Sequence, residues 1–404
     1  MNVRATLIGL GALGVMADAS RAQATATSDT LPWNAAVGRF GSVRVGFAFL
    51  YDADAYRQSA VNEAQVGSLA TVGVVRTGRL ILDGTLGSAH RWRYLLAVES
   101  NRLEDIDPPE FTLKDLALSI PAGGNVWISV GRQKEGASQD IYLGTRTQPY
   151  SERSAGVTAF FPTRNDGLRV WNSGSFAADG RWGWSLGAFD SFLFNGDSFR
   201  ANGGQYAARI FAAPVADDKT GRVAQLAFDV RATGAQDGFI EFKTKPEVDA
   251  APNFVNTGRI PASSATTIDV EALMQRRSLS FVAELLPTFV AGTPNGTLHF
   301  VGWYAGASWR SGGTPRAYDD ETGSLSRVEL ERRKVVCELA ARFSSADLTD
   351  RSVDGGALER GTLAVAVYAP HDLRVLIDYG FMSLSKNGVG RASSLTARVQ
   401  WELR

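Results

Sequence analysis

The sequence predicts an all-β chain, a transmembrane antiparallel β-barrel of about 16 strands with infolded loops. Three observations predict it. Apolar and polar residues alternate at every second position from about residue 41 to the end, apolar runs are short, and long polar connections take turns with short ones. The last strand shows the alternation most cleanly. Leu395, Ala397, Val399, Trp401 and Leu403 fall on one side, with Thr396, Arg398, Gln400, Glu402 and Arg404 on the other. Leu373, Val375, Ile377 and Tyr379 divide in the same way from Arg374, Leu376 and Asp378, and Trp92, Tyr94, Leu96 and Val98 from Arg91, Arg93 and Glu99. In a soluble sheet the apolar side would face a core. Here the other side carries Arg, Glu, Asp or Thr on strand after strand, so it must be wet and the apolar side must meet lipid. Cys337, in step with Val335, Leu339 and Phe343, is expected on the lipid side, and Trp92, Trp182, Trp184, Trp303, Trp309 and Trp401 suit the interfacial girdles.

Short connections fall near residues 84–89, 121–124, 177–180, 214–221, 275–278 and 370–372. Long ones fall near 53–68, 101–110, 134–165, 193–203, 234–265 and 344–360. Threading strands between them places both termini on the short-turn side. Residues 311–333 break the pattern, being too long for the short turn due there.

Composition agrees with a barrel without demanding one. The 404 residues carry 42 basic and 42 acidic side chains and a mean hydropathy of -0.10, a balance that offers nothing to nucleic acid. Lipid-facing and lumen-facing residues average out in a barrel, so mild hydropathy does not exclude a membrane. Only seven of the basic residues are lysine. Residues 1–24 read as a secretory signal: Arg4, an apolar run from Leu7 to Ala17, and the small-x-small site Ala22-Gln23-Ala24. The GxGxxG pattern at Gly9–Gly14 lies inside that segment with no strand before it and is rejected as a dinucleotide site. A short N-terminal segment, 25–40, leads to the barrel at 41–404. No later run reaches the 18 or so apolar residues of a spanning helix, and the single cysteine excludes an intramolecular disulfide framework.

The run VGRQKEGASQDIYL (130–143), followed by YSERS (150–154) and RNDGLRV (164–170), resembles the third-loop region of the phosphate-selective porin O and P family. WGWSLGAFDS, LHFVGWYAGASW, ELAARFSSADLTD and TLAVAVYAPHDLRVLIDYG resemble its later strands in the same order, so the likeness runs from about Arg44 to Leu403. The resemblance implies a 16-stranded homotrimeric porin of the Gram-negative outer membrane. Small phosphate-like anions would pass its cationic lumen, and its partners would be outer-membrane lipid and lipopolysaccharide. Two positions depart from the family. Leu403 stands where an aromatic residue usually ends the chain, and Arg76-Thr77 stands for a pair of arginines on the second strand. The region of the family's arginine ladder reads FIEFKTKPEVDAAPNFVNTGRI.

Anion selection needs fixed positive charge along a narrow path. In the fifth loop, Glu241, Lys243 and Lys245 share one side opposite Ile240, Phe242 and Thr244, which would place the two ammonium groups about 7 Å apart along a pore. Lys134 and Arg153 lie in the third long connection, and Arg76 lies where the family places constriction arginines; Arg259 completes the set. Each has a plainer reading as a solvated loop charge or a wall residue paired with a carboxylate, as Glu152 beside Arg153 suggests. Catalysis is not expected: His90, His299 and His371 are scattered, GxSxG is absent, and neither cofactor nor metal spacing occurs. The competing function is a structural or surface-interacting barrel whose long loops fill the lumen and leave little conductance.

Overall fold

The computed structural model describes residues 34–36, 41–87, 91–100, 111–176, 179–190, 202–328, 330 and 334–403. The segment read as a signal, 1–24, lies outside the described residues, as do the loop regions at 101–110 and 191–201. Sixteen antiparallel strands close into one barrel. They are β1 (Gly41–Gln58), β2 (Val72–Leu86), β3 (Trp92–Ser100), β4 (Phe111–Gly123), β5 (Val126–Gln133), β6 (Asn165–Phe176), β7 (Gly180–Asp190) and β8 (Asn202–Asp217), then β9 (Arg222–Ala235), β10 (Ser264–Arg276), β11 (Leu279–Ala291), β12 (Leu298–Arg310), β13 (Val336–Asp350), β14 (Val353–Ala369), β15 (Leu373–Ser385) and β16 (Val389–Leu403). Each pairs with its chain neighbour, and β16 returns to β1 in register from Phe47 opposite Leu403 to Gln58 opposite Ala392. Closure leaves no sheet edge unpaired in hydrocarbon, which is what a membrane demands of strands.

The burial pattern is inverted relative to a soluble sheet. On β16, Leu395, Val399 and Trp401 are exposed while Thr396, Arg398 and Gln400 are buried. On β15, Val375 and Ile377 point out and Arg374 and Asp378 point in. Trp309 and Trp401 are exposed close to the short-turn ends of their strands, and Trp92 and Trp182 lie at equivalent ends, where an interfacial girdle belongs. Cys337 shares the outward parity of the exposed Val335, Leu339 and Phe343. Folded protein in lipid is therefore expected to react slowly at Cys337 with a charged, membrane-impermeant thiol reagent; fast labelling would contradict that placement.

Three connections differ from the sequence reading. The long loop expected near 344–360 is absent: β13 runs to Asp350, β14 starts at Val353, and Arg351, with φ +53°, turns the hairpin. The polar residues of this stretch lie on the two strands themselves. Near 53–68, β1 continues to Gln58 and a short helix, α1 (Ala60–Val66), capped by the Ser59 side chain, makes the connection. Residues 311–328 do lie at the short-turn end, but they fold up into the barrel as a small hairpin, Arg316–Asp319 against Ser324–Val328. Its Leu325 packs with Val223 and Leu273, and Gln275 Nε2 donates to Arg316 O at 2.9 Å.

Candidate pore constriction

Two loops fold into the lumen and pack against one side of its wall. The third loop, 134–164, contains α2 (Gln139–Thr147) and α3 (Ala155–Phe160), begun by the side chains of Ser138 and Ser154. Val157, Phe160 and Phe161 pack against Phe242, Phe254 and Val255 of the fifth loop (236–263) and against Leu286, Leu298 and Phe300 of the wall. This apolar core sits inside the barrel, off to one side. Its closest approach is glycine on glycine: a Cβ on Gly302 of β12 would lie 2.7 Å from Gly156 Cα.

Wall arginines clamp the rest of the third loop. Arg374 Nη2 donates to Gln148 O at 2.7 Å, Arg398 Nη1 donates to Ser151 O at 2.6 Å, and Ser151 Oγ donates to Asp378 at 3.0 Å. Arg76 Nε meets Glu152 at 2.7 Å. Burial would raise the Glu152 carboxyl, yet Arg76 first and then Arg398 outweigh it and hold the group down at about 2.

Opposite this packed side, a cavity of about 430 Å³ opens between the third loop and β2–β6. The inserted hairpin 316–328 contributes Asp319, Ser324 and Ser326 to its lower end. Eight cationic side chains line it against three carboxylates. Five of the eight are ion-paired, sharing four carboxylates: Arg76 with Glu152, Arg79 and Lys114 with Glu99, Arg164 with Asp115, and Arg146 with Glu402. Lys114 Nζ stands 3.0 Å from Glu99 Oε1, and Arg164 Nε 2.9 Å from Asp115 Oδ1. The other three, Lys134, Arg153 and Arg169, have no ion pair among the described residues. Lys134 Nζ donates to Tyr142 O at 2.8 Å, and Arg169 Nη1 donates to Tyr142 Oη at 3.2 Å while its guanidinium lies over Trp171. The Arg153 Nε has no acceptor at all. Burial, and then the neighbouring Arg164, push the Lys134 ammonium well below the ordinary lysine range, an effect that water in the lumen moderates.

The candidate residues thus separate. Arg76, Lys134 and Arg153 line one cavity; Lys243, Lys245 and Arg259 do not. The fifth loop does fold inward, with Ile240, Phe242 and Thr244 buried, but Lys243 turns to Glu241 at 3.3 Å, Lys245 to Asp249, and Arg259 covers the Phe239 ring. Arg169 lies on the inward parity of β6 and was legible from alternation. Arg76 and Lys114 were not, because each sits at a register shift. Leu50 pairs with Thr77 and Tyr51 with Val75, so Arg76 is the extra residue of a bulge; Lys114 is the extra residue opposite Ala97 and Val98.

The profile of the phosphate-selective porin O and P family matches residues 43–403. The chain belongs to this family. No curated protein matches it in sequence. The porin's barrel is similar to that of an anion-selective porin from Comamonas acidovorans at TM-score 0.57, with 13% identity over 90% of this chain and 100% of the other. It is also similar to the outer membrane channel DcaP of Acinetobacter baumannii (TM-score 0.53, 10% identity, 91% and 99% covered) and to OprB of Pseudomonas putida (0.54, 10%, 90% and 94%). The porin is a channel of the Gram-negative outer membrane.

Proposed function

We propose that this porin passes small, phosphate-like anions by passive diffusion and that Lys134, Arg153 and Arg169 set its preference for them. The observation that carries the reading is the imbalance of the cavity: three of its eight cations have no carboxylate partner among the described residues, and the other five share four carboxylates. Unpaired charges attract an ion without first having to release a partner, and three weak sites let it leave again. The anion-selective porin from Comamonas acidovorans shares the fold and lends its character to the reading. Lys134 acts as a point charge, whereas Arg153 and Arg169 offer planar forks that suit oxyanions such as phosphate. Residues 1–24 act as the export signal, three barrels associate, and the apolar outer face meets lipid, with lipopolysaccharide toward the long-loop end.

Acid–base behaviour tests the role of Lys134. Because its ammonium is disfavoured by burial and by Arg164, Lys134 loses its proton at a lower pH than a free lysine. Anion selectivity in planar bilayers is expected to fall as pH rises through that value. Lys134→Met should give the lower selectivity at every pH, and Lys134→Arg should keep the high selectivity into the alkaline range. Selectivity that is independent of pH in the unaltered protein and unchanged in Lys134→Met would remove Lys134 from the pathway.

A further inference from the structure

On the lumen wall away from the cavity, β9, β10 and β11 bring four carboxylates together beneath the start of the third loop. Asp229 stands directly opposite Asp269 in the ladder, and Glu271 directly opposite Glu284. Like charges in directly opposed positions destabilise a sheet unless something lies between them. Two of the four are accounted for. Glu284 accepts from Ser138 Oγ at 2.6 Å, the Asp140 amide at 2.7 Å and Tyr304 Oη at 2.7 Å, and Glu271 accepts from the Gln139 amide at 2.9 Å and Arg209 Nη2 at 2.8 Å. Asp229 is half accounted for: its Oδ2 accepts from the Ser138 amide and Arg209 Nη1, and its Oδ1 has no partner. Asp269 is 0% exposed, and neither of its carboxylate oxygens has a donor.

We propose that Asp229, Asp269 and Glu271 form a Ca²⁺ site that completes the anchorage of the third loop. One oxygen from each lies within 4.8 Å of the others, a span that fits oxygen ligands at about 2.3–2.6 Å around one ion. The ligand set is all carboxylate, which selects a hard cation over zinc or copper. Charge points the same way: the carboxylates outnumber their one guanidinium, Arg209, and a divalent ion offsets the excess negative charge. Burial favours Ca²⁺ over Mg²⁺, which keeps several waters and would have to shed them here. With the ion in place, the strand pairs that face the Ser138–Asp140 backbone hold fixed positions, and the loop that shapes the cavity is fixed with them.

The test is metal content after refolding. Denatured chain is refolded into detergent micelles with Ca²⁺, desalted, and analysed by elemental mass spectrometry alongside Asp269→Asn treated in the same way. The unaltered barrel is expected to retain about one Ca²⁺ per chain. Asp269→Asn is expected to refold, shown by heat-modifiable migration, and to retain none. An ion-free unaltered barrel would overturn the proposal and leave protons between the carboxylates. Retention of the ion by Asp269→Asn at the unaltered level would also overturn it. Should Asp269→Asn fail to refold, the metal content of the unaltered protein decides alone.

Discussion

Changing Arg153 and Arg169 together to glutamate turns the channel from anion-preferring to cation-preferring. Both side chains face the cavity and neither is neutralised by a carboxylate, so each exchange removes a free positive charge and installs a free negative one. Four charges change in a confined space of about 430 Å³. Each exchange alters the barrier to a passing ion by about 1 kcal/mol or more, because charges lining a partly desolvated path are damped less than in bulk water. The two shifts act on the same ion and reinforce each other. Reversal potentials across a salt gradient check the sign, and the change is greatest at low ionic strength, where screening reaches about 30 Å. The comparable exchange of Lys243 and Lys245 acts on half-exposed ammonium groups already facing Glu241 and Asp249, outside the cavity, so its effect is smaller. Equal effects from the two double variants would return the fifth-loop lysines to the centre of selection.

Glu247→Ala releases the fifth loop. The buried Glu247 carboxylate receives Arg342 Nη2 at 2.5 Å, Arg360 Nε at 3.3 Å, the Ala155 amide at 2.8 Å and the Ser344 hydroxyl, so one side chain joins the fifth loop to the third and to two wall strands. Arg360 keeps Asp378 and the Pro246 carbonyl, but Arg342 loses its only ion-pair partner among the described residues. Breaking a buried pair on one side costs about 3–5 kcal/mol. That loss falls on loop docking, since the strand ladder is untouched. The barrel is expected to insert and to migrate in heat-modifiable form, with raised single-channel conductance and current noise. Unchanged conductance and noise in the inserted variant would show that the loop is held by its apolar packing alone.

The strands were legible because lipid and lumen impose opposite demands on alternate residues, as Leu395 to Trp401 of β16 show. Alternation fails where loops pack against the wall. In β11, Leu286 and Val290 face inward and are fully buried beneath the third and fifth loops, so apolar residues interrupt the inward row of Ser280, Glu284 and Thr288 and blur its period. The hairpin at 316–328 was visible only as excess length, since its fold depends on contacts with Gln275, Glu338 and the third loop rather than on local pattern. The cavity was half legible. Lys134, Arg153 and Arg76 followed from the resemblance of the third loop and second strand to the porin family. Which cations stay unpaired did not, because Glu99, Asp115 and Glu152 reach their partners from other strands or loops. Bulges added a second obstacle, turning Arg76 and Lys114 inward against the parity of their neighbours.

The anion pathway itself is tested most directly by the reversal potential of the unaltered protein in a planar bilayer under a gradient of potassium chloride, whose two ions have nearly equal mobility. A potential of the sign set by chloride moving down its gradient, larger in dilute than in concentrated salt, is the predicted result. A potential of the opposite sign, or a folded and inserted barrel that carries no measurable current, would contradict it.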